Sequence, residues 1–387
     1  MTKRLYEENS YIKEFEAIVI SCEKDEDYYN VVLNQTAFFP EGGGQKSDVG
    51  CLDDSKVVEV IAKDDHIIHK TTKPFEAESI VKGKVDFEVR YKRMQNHTAE
   101  HMVSGIVHSL YGYTNVGFHM SENSMRVDFD GELKKEDIEK VELLANKAVW
   151  ENLDVSVLFP SAQEAEKIDY RSKLEILFGL RLVKIGDLDC CACCAPHVNK
   201  TGEVGLIKII DFTPYKKGTR IEMVAGIDAF YDYTKINNEN KKLMGALSAP
   251  RNALFDAVNH LSETIALLTR EKNILSKELA LYKLNLIAIN NNAYAFGEGF
   301  SHDDLRYASN KFVEEGRDIC VLFSKMESGE YSYVVNSNNI DVTPMVKTMN
   351  EAFSGRGGGK GSYAQGKISA DEKMIEDYIK NALKEWK

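Results

Sequence analysis

The sequence has little of several features that would assign a protein to a broad class. It contains 7 prolines and 2 tryptophans in 387 residues, and no run approaches the roughly 18 apolar residues of a membrane span. The amino terminus, which begins Met1-Thr2-Lys3-Arg4, turns acidic at once and lacks the apolar segment of a secretory signal. We therefore expect a cytoplasmic protein with no membrane partner.

An excess of positive charge is also missing. The formal net charge is −12, whereas general nucleic-acid binding depends on neutralising phosphates with cations. Any nucleic-acid partner must therefore be held by a local basic surface. The 7 cysteines are an odd number, and four of them lie between Cys190 and Cys194, which does not resemble a disulfide framework. Reduced thiols and metal binding fit this arrangement better.

The chain is nevertheless rich enough in apolar residues to form a sizeable core. Hydrophobic residues make up 43% of it, and its length predicts two or three domains of about 100–200 residues each. Short segments rich in β-branched residues recur from Phe15 to Asp86 and predict a small β-barrel or meander. Helical spacing follows from Phe87 to Gly112, and alternating strand and helix patterns up to Ala225 predict one α/β domain.

Two pairs of side chains with metal-ligand chemistry are each spaced four residues apart. His97 and His101 lie in the helical segment, where residues i and i+4 share a face with Cβ atoms about 5–6 Å apart. Cys193 and His197 form the second pair. Together the pairs supply three imidazoles and one thiolate, which suits a tetrahedral Zn²⁺ site.

The residues between the two histidines bear on the type of metal enzyme. A zincin-type metalloprotease carries a glutamate directly after the first histidine, as the general base. Thr98 occupies this position, and Glu100 points about 100° away from His101 around a helix. The spacing therefore disfavours a metalloprotease and leaves the catalytic base unassigned.

A run of glycines lies within the predicted barrel and ends at an amide side chain: Gly42, Gly43, Gly44 and Gln45. A hairpin turn that needs positive φ explains such a run on chemistry alone. The run lacks the Lys-Ser/Thr ending of a P-loop and the G-x-G-x-x-G spacing of a dinucleotide site. The sequence thus predicts a tight turn here and excludes both nucleotide-binding motifs.

A second glycine-rich segment lies near the carboxyl terminus: Arg356, Gly357, Gly358, Gly359 and Lys360. Open backbone N–H groups beside two cations suit an anion site, which we favour over a flexible linker. Upstream, apolar residues from Val258 to Ile289 alternate by three and four, with Lys272 in the series. This spacing predicts a long helix, which either packs on its own domain or forms a coiled coil.

Several motifs, in this order, closely resemble the editing half of alanyl-tRNA synthetase and its freestanding relatives, the alanyl-tRNA editing (AlaX) proteins. They are Glu41 to Gln45, His97 to His101, Cys193 to His197, Thr201 to Gly205, and the carboxy-terminal glycine-rich segment. The last of them resembles the DHHA1 domain of the synthetase and of long AlaX forms. The chain has no room for the aminoacylation domain that precedes the editing region, so we expect editing without charging.

The resemblance implies an α+β fold in four parts. These are a small β-barrel with the glycine-rich loop at 1–87, a zinc-binding, two-layer α/β editing domain of the threonyl/alanyl-tRNA synthetase type at 88–235, a long coiled-coil-like helix at 236–296, and an α/β DHHA1-like domain at 297–387. A homodimer through the 251–296 helix and the carboxy-terminal domain is also implied.

The resemblance further implies a zinc-dependent deacylase that hydrolyses tRNA(Ala) mischarged with serine, or with glycine as a second substrate. Zinc would be held by the two spaced pairs, and tRNA would contact the segment from Arg356 to Lys360. The alternative from another class is a non-catalytic tRNA-binding or dimerisation module. Its zinc would be structural, held for instance by four thiolates from the cysteine run.

The sequence departs from the family at two places. The usual loop is Cys-Gly-Gly-Thr-His, but here Cys194, Ala195 and Pro196 fill its interior, and proline removes one backbone N–H donor. We favour Cys193 as the ligand over its cysteine neighbours because only Cys193 keeps the i,i+4 relation to His197. The specificity residue has no secure equivalent, and the candidates are Asn115 and His119 beside Gly42, Gly43, Gly44 and Gln45.

Overall fold

The computed structural model describes residues 1–121, 124–172, 180–287 and 292–385 of the chain. The chain divides into two compact units, Met1–Lys241 and Lys242–Lys387. This division falls inside the segment 236–296 that the sequence assigns to a helical linker, and the finer division into four parts stays a prediction. Within the described ranges, no helix combines the length and the apolar composition that crossing a membrane requires.

The amino-terminal part of the first unit is a closed six-stranded barrel with strand order β2-β3-β7-β6-β5-β8. Its elements are β1 (Lys3–Arg4), α1 (Leu5–Glu8), β2 (Glu14–Asp25), β3 (Tyr28–Leu33), β4 (Gln35–Thr36), β5 (Gly50–Leu52), β6 (Ser55–Lys63), β7 (His66–Thr71) and β8 (Ile80–Val85). Strict alternation of buried and exposed residues along β8 places Val81 and Val85 in the barrel core. The predicted small β-barrel is therefore present.

The rest of the first unit is a mixed α+β region with two sheets, ordered β14-β15-β10-β9 and β11-β12-β13. Its elements are α2 (Phe87–Tyr111), β9 (Asn115–Met120), β10 (Met125–Phe129), α3 (Lys135–Glu151), β11 (Val155–Leu158), α4 (Ala162–Ala165), β12 (Leu182–Ile185), β13 (Asp189–Ala192), β14 (Ile207–Tyr215) and β15 (Gly218–Ala225). Helix α5 (Ile227–Leu247) begins in the first unit and ends in the second. Helix α2 lies at the centre of the α+β region, because every residue from Met94 to Val107 is buried.

Helix α2 begins and ends as its sequence predicts. The Asp86 carboxylate accepts a hydrogen bond from the Val89 amide at 3.2 Å, which satisfies one of the free N–H groups of the first turn. Gly112 adopts φ of 71° at the carboxyl end, in the left-handed region where glycine is favoured. The local sequence therefore fixes both ends of the helix that carries His97 and His101.

The second unit contains a five-stranded sheet with strand order β16-β17-β18-β20-β19. Its elements are α6 (Leu254–Ile287), β16 (Asn292–Glu298), α7 (His302–Glu314), β17 (Ile319–Lys325), β18 (Tyr331–Ser337), α8 (Thr343–Ala352), β19 (Arg356–Lys360), β20 (Tyr363–Ile368) and α9 (Glu372–Glu385). The helical prediction up to 296 is wrong at its end. β16 pairs in parallel with β17, for example Tyr294 with Val321, so sheet pairing decides the structure there.

The predicted long helix is present as α6, which has 34 residues. Its Ala280 and Leu284 are buried, whereas most of the three-four series is exposed: Val258, Leu261, Ile265, Leu268, Leu275, Leu279, Tyr282 and Leu286. Ile289, the last residue of the series, lies outside the described residues. Coiled-coil pairing and the homodimer stay predictions.

The carboxy-terminal glycine-rich segment is an edge strand rather than an open loop. Strand β19 pairs with β20 alone and ends the sheet order. The glycines allow close approach to β20, because a Cβ on Gly359 would lie 2.0 Å from the Tyr363 carbonyl oxygen. Arg356 and Lys360 at its ends are exposed. The segment is therefore not a flexible linker, while a role of these residues in binding tRNA stays a prediction.

His69 is a buried, neutral histidine in the barrel core. Its Nε2 lies 2.8 Å from Thr36 Oγ1, and its Nδ1 lies 3.1 Å from the Val31 carbonyl oxygen. Burial lowers the pKa of His69 to about 4, so the ring is uncharged in the folded protein at neutral pH.

We expect His69 to destabilise the protein as pH falls from about 6.5 to about 4, because the unfolded chain takes up a proton there and the folded chain does not. The loss amounts to about 3 kcal/mol over that range. Urea unfolding at a series of pH values checks this: His69→Asn should flatten the pH dependence of the unfolding free energy, and His66→Asn at the exposed start of the same strand should not. Parallel curves for His69→Asn and the parent protein would contradict the assignment.

Candidate metal centre

The two spaced pairs converge in the structure. The ligand atoms of His97, His101, Cys193 and His197 all lie within 4.8 Å of one another. His97 and His101 stand one turn apart on α2, with ring centroids 5.3 Å apart. The loop after β13 brings the ring of His197 to 4.8 Å from His97 and 4.6 Å from His101. The predicted set of three imidazoles and one thiolate is therefore assembled.

The other cysteines of the run lie elsewhere. Cys191 groups with His101 and Asp189 in a second cluster, whereas Cys190 and Cys194 belong to neither group of metal-type ligands among the described residues. Cys194 is exposed. Cys193, which is spaced four residues from His197, is thus the cysteine whose sulfur groups with all three histidines among the described residues.

Each of the three histidines has a different side chain beside its Nδ1 atom; the contacts of His97 and His197 are hydrogen bonds, and that of His101 is an ion-pair contact without a hydrogen bond. His97 Nδ1 lies 2.8 Å from Gln45 Oε1, and His197 Nδ1 lies 3.1 Å from Thr98 Oγ1. His101 Nδ1 lies 3.3 Å from Asp189 Oδ2. Metal-binding histidines commonly have one nitrogen fixed in this way, which leaves the Nε2 lone pair for the metal.

The Nε2 atoms face the thiol. Cys193 Sγ lies 3.7 Å from His97 Nε2 and 3.4 Å from His197 Nε2. Burial alone would raise the pKa of Cys193, but His97, His197 and a hydrogen bond from His101 together lower it well below its usual value. The site therefore favours a thiolate, the form in which cysteine binds metal.

Burial lowers the pKa of His197 to about 3, so this ring is neutral and its nitrogen can accept a metal. For His101 burial also acts downward, but Asp189 and Cys193 outweigh it and raise the pKa well above its usual value. A bound metal would replace the proton that His101 otherwise holds. This donor set fits zinc, which accepts cysteine sulfur and histidine nitrogen in tetrahedral sites.

Asp189 is itself fixed by a two-pronged contact. Arg171 donates from Nε to Asp189 Oδ1 at 2.7 Å and from Nη2 to Oδ2 at 2.8 Å. Burial alone would raise the pKa of Asp189, but His101 and Arg171 lower it. Nothing in the spacing of the motifs indicates Arg171 or Asp189, because both acquire their roles through tertiary contacts.

Arg181 holds the loop that departs from the family pattern. This buried side chain donates from Nη1 to the Cys193 carbonyl oxygen at 2.7 Å and to the Ala195 carbonyl oxygen at 3.0 Å. The Arg181 carbonyl accepts from the Cys193 amide at 3.1 Å. A loop that lacks two glycines and a hydroxyl is thereby kept in a conformation that places both ligands.

The first glycine run forms the predicted turn. Gly42 and Gln45 exchange backbone hydrogen bonds of 3.1 and 3.0 Å, and Gly43 and Gly44 have φ of 59° and 83°. A Cβ on Gly44 would lie 2.7 Å from the ring and the carbonyl oxygen of Phe118. The turn therefore sits directly against β9, and it delivers the Gln45 side chain to His97.

Gln45 makes one hydrogen bond and leaves another group without a partner. Its Oε1 accepts from His97 Nδ1, while its Nε2 is buried and has no hydrogen-bond partner among the described residues. A buried donor without a partner costs about 1–3 kcal/mol, which makes a ligand at this position favourable. Gln45 thus combines a supporting role for His97 with a free donor beside the metal-ligand cluster.

Neither candidate for the specificity residue offers a free side-chain group to the metal-ligand cluster. Asn115 is buried, but its amide donates to Glu100 Oε1 and to Ser104 Oγ at 3.3 Å, so its hydrogen bonds are already used. His119 is exposed. The ring of its neighbour Phe118 lies 5.1 Å from that of His97. Because adjacent residues of a strand point to opposite faces, His119 points away from His97.

Glu100 lies nearer to the site than the helical spacing predicts. Its Oε2 is 3.9 Å from His101 Nε2, and its Oε1 accepts from Ser104 Oγ at 2.6 Å. The Cα–Cβ bond of Glu100 points about 100° away from that of His101, but the long glutamate side chain turns back toward the His101 ring.

Comparison with known proteins agrees with this geometry. The family model "Threonyl and Alanyl tRNA synthetase second additional domain" matches residues 180–241, which include Cys193 and His197. The DHHA1 domain model matches residues 290–386. The alanyl-tRNA editing protein AlaX-L of Pyrococcus horikoshii is 28% identical, and the alignment covers 99% of each chain. Over its whole length the chain therefore resembles the alanyl-tRNA editing (AlaX) proteins, and its DHHA1 match corresponds to their long form.

Other relatives are also similar to this chain over nearly its whole length. An alanyl-tRNA editing protein of Danio rerio is 25% identical, with 97% of this chain and 95% of that protein covered. The alanine–tRNA ligase of Pyrococcus furiosus is 32% identical over 99% of this chain. The chain spans 44% of that ligase, so it corresponds to less than half of the ligases that it matches.

We expect Asp189→Asn to weaken zinc binding by about 10- to 100-fold, because the carboxylate fixes the ring of His101 and increases its basicity. Competition with a chromophoric chelator measures the change. Asp187→Asn, on the exposed turn that precedes β13, is the matched control and should bind zinc like the parent protein. Equal affinity of Asp189→Asn and the parent protein would show that His101 does not depend on this contact.

Proposed function

We propose that the chain is a zinc-dependent deacylase that hydrolyses the ester of tRNA(Ala) mischarged with serine, with glycine as a second substrate. The observation that carries the proposal is the cluster of His97, His101, Cys193 and His197, in which two histidines are hydrogen-bonded through Nδ1 and the third has a carboxylate 3.3 Å from Nδ1. Similarity to proteins named as alanyl-tRNA editing proteins supports the class of substrate.

An aminoacyl ester is already activated, so its hydrolysis needs an attacking water and stabilisation of the negative charge that develops on the carbonyl oxygen. Zinc held by these four residues would supply both, by lowering the pKa of water and by polarising the carbonyl, if water or the carbonyl oxygen joined as a fifth ligand or displaced one of the four. The chain itself contributes a rigid set of donors. Gln45, Thr98 and Asp189 fix the three rings, and Arg181 fixes the loop that carries Cys193.

Selection of serine over alanine requires recognition of one hydroxyl group. The buried Gln45 Nε2, which has no partner among the described residues, is a donor suited to that oxygen. A site that hydrogen-bonds a substrate hydroxyl can reject the analogue without it by about 10⁴, because the donor is then left unpaired. Gly43 and Gly44 give the turn the shape that brings this amide to the site.

Binding of tRNA is the second part of the proposal. Arg356 and Lys360, exposed on the edge strand β19, are cations in a chain with a net charge of −12. An exposed edge strand with little side-chain bulk lets a phosphate backbone approach its outward N–H groups. We assign tRNA contact to Arg356, Gly357, Gly358, Gly359 and Lys360 on these grounds.

The alternative is a non-catalytic tRNA-binding or dimerisation module with a structural zinc. A site with four protein ligands is closed, as structural zinc sites are, whereas catalytic sites use three and keep one position open. Its four-thiolate version lacks support, because the described cysteines of the run do not gather in one ligand group. The clustered histidines and the free Gln45 donor favour catalysis.

Deacylation of seryl-, glycyl- and alanyl-tRNA(Ala), with and without chelator, tests the proposal. We expect hydrolysis of seryl-tRNA(Ala) to be fastest and alanyl-tRNA(Ala) to be spared. We also expect activity to be lost on chelation and regained with zinc. Equal hydrolysis of the seryl and alanyl forms would refute the proposed specificity, and activity unaffected by chelation would refute the proposed metal dependence.

The matched variants for this assay are two histidines of the same helix. His97→Ala should lose both zinc and deacylation, whereas His108→Ala, near the exposed end of α2, should keep both. If zinc remains bound and activity persists in His97→Ala, the site assignment is wrong. Zinc binding without hydrolysis of any tRNA by the parent protein would favour the structural alternative.

We expect Gln45→Glu to reduce discrimination between seryl- and alanyl-tRNA(Ala) by at least about tenfold. The carboxylate can still accept from His97 Nδ1, but the amide donor is gone. The ratio of the two kcat/KM values measures the change, and zinc content shows whether the metal site survives. Gln35→Met, in the short strand β4 that pairs with β1 outside the barrel, is the control. An unchanged ratio with full zinc content would exclude Gln45 from specificity.

A further inference from the structure

A cavity of about 390 Å³ next to the metal-ligand cluster is lined by an excess of cations. Its charged lining residues are Lys46, Lys92, Arg93 and Asp228, so three cations face one carboxylate. Two other cavities lined by described residues differ in charge. One, near Asp189, has more carboxylates than cations, and the other, beside β19, has two cations and one carboxylate.

The cavity adjoins the candidate metal centre through two elements. Lys46 directly follows Gln45, whose side chain holds His97. Arg93 precedes His97 by four residues on α2, so the two side chains lie on one face of the helix about 5–6 Å apart at Cβ. Lys46 and Arg93 are therefore neighbours in the fold of the residues that form the metal centre.

The cations of the cavity are held to different degrees. Lys92 Nζ pairs with Asp228 Oδ1 at 2.7 Å, so its charge is largely balanced. Arg93 donates from Nη1 to the Ser47 carbonyl oxygen at 2.5 Å, which fixes the guanidinium at the cavity. Lys46 is exposed, and it forms no ion pair with any described residue. Lys46 and Arg93 thus provide a mobile and a fixed positive charge.

We propose that this cavity binds a phosphodiester of the single-stranded acceptor end of tRNA, adjacent to the aminoacyl ester; the assignment rests on the proposed function. The phosphate on the 5′ side of the acylated ribose is the anion that every such substrate carries nearest to its ester. Guanidinium and ammonium groups bind phosphate oxygens by charge-assisted hydrogen bonds. Because the whole chain is strongly acidic, a local pair of cations is needed to hold this phosphate.

Steady-state deacylation of seryl-tRNA(Ala) by the full chain tests the assignment. Lys46→Gln should raise KM about tenfold and leave kcat within about twofold, because the lost contact acts on binding. Lys46→Arg, which keeps the charge, should restore KM. Lys82→Gln, an exposed barrel lysine remote in sequence from the site, is the matched control and should behave like the parent protein.

Binding of uncharged tRNA(Ala) gives a second measurement that does not depend on hydrolysis. The slope of log Kd against log salt should fall by about 0.7 in Lys46→Gln, as for the loss of one single-stranded phosphate contact. With tRNA that lacks its three terminal nucleotides, Lys46→Gln and the parent protein should bind alike.

Unchanged KM and unchanged salt dependence in Lys46→Gln would overturn the phosphate site while leaving the proposed deacylase intact. A difference that persists with the truncated tRNA would overturn its placement at the acceptor end. If the parent protein hydrolyses no seryl-tRNA(Ala), the proposed function fails, and the binding comparison still decides whether the cavity holds a phosphate.

Discussion

The buried ion pair between Arg90 and Asp48 connects the two parts of the first unit. Arg90 lies in the first turns of α2, Asp48 follows the glycine turn, and both side chains are almost fully buried. Asp48 also accepts from the Phe39 amide at 2.6 Å, and Arg90 donates to the Ser10 carbonyl oxygen at 3.3 Å. Removing one partner from such a pair costs about 3–5 kcal/mol, because a charge is left buried without compensation. The position of α2 relative to the barrel depends on this contact.

The relative position of the barrel and α2 decides whether the Gln45 side chain reaches His97. The glycine turn and the helix come from different parts of the fold, and a small shift of one against the other would break the 2.8 Å contact between Gln45 Oε1 and His97 Nδ1. The Phe118 ring and the Gly44 backbone meet with no room for a Cβ, which limits movement from the other side. The site is thus formed at a junction, and its geometry is a property of the packing between barrel and helix.

The sequence predicts the parts of this site that are encoded locally. The i,i+4 spacing of His97 and His101 and the turn at Gly43 and Gly44 follow from backbone geometry that neighbouring residues determine. Contacts between distant segments have no such signature. Asp189 and Arg181 could not be assigned in advance. Asp189 meets His101 only when β13 packs against α2, and Arg181 meets the Cys193 carbonyl oxygen only when the loop after β13 folds against it. The same reason explains β16, where pairing with β17 overrides a pattern compatible with helix.

The metal-ligand cluster joins residues that are far apart along the chain. His97 and Cys193 are separated by 96 residues, so a metal that binds both closes a loop of that length. Closing such a loop costs the unfolded chain about 4 kcal/mol of conformational entropy. In the folded protein, α2 and the sheets already hold the two residues close together, so the metal does not have to close the loop itself. Metal binding would then act as a crosslink on the folded first unit. Protection of α2 and β13 against hydrogen exchange would depend on metal concentration, whereas protection of the second unit would not change with it.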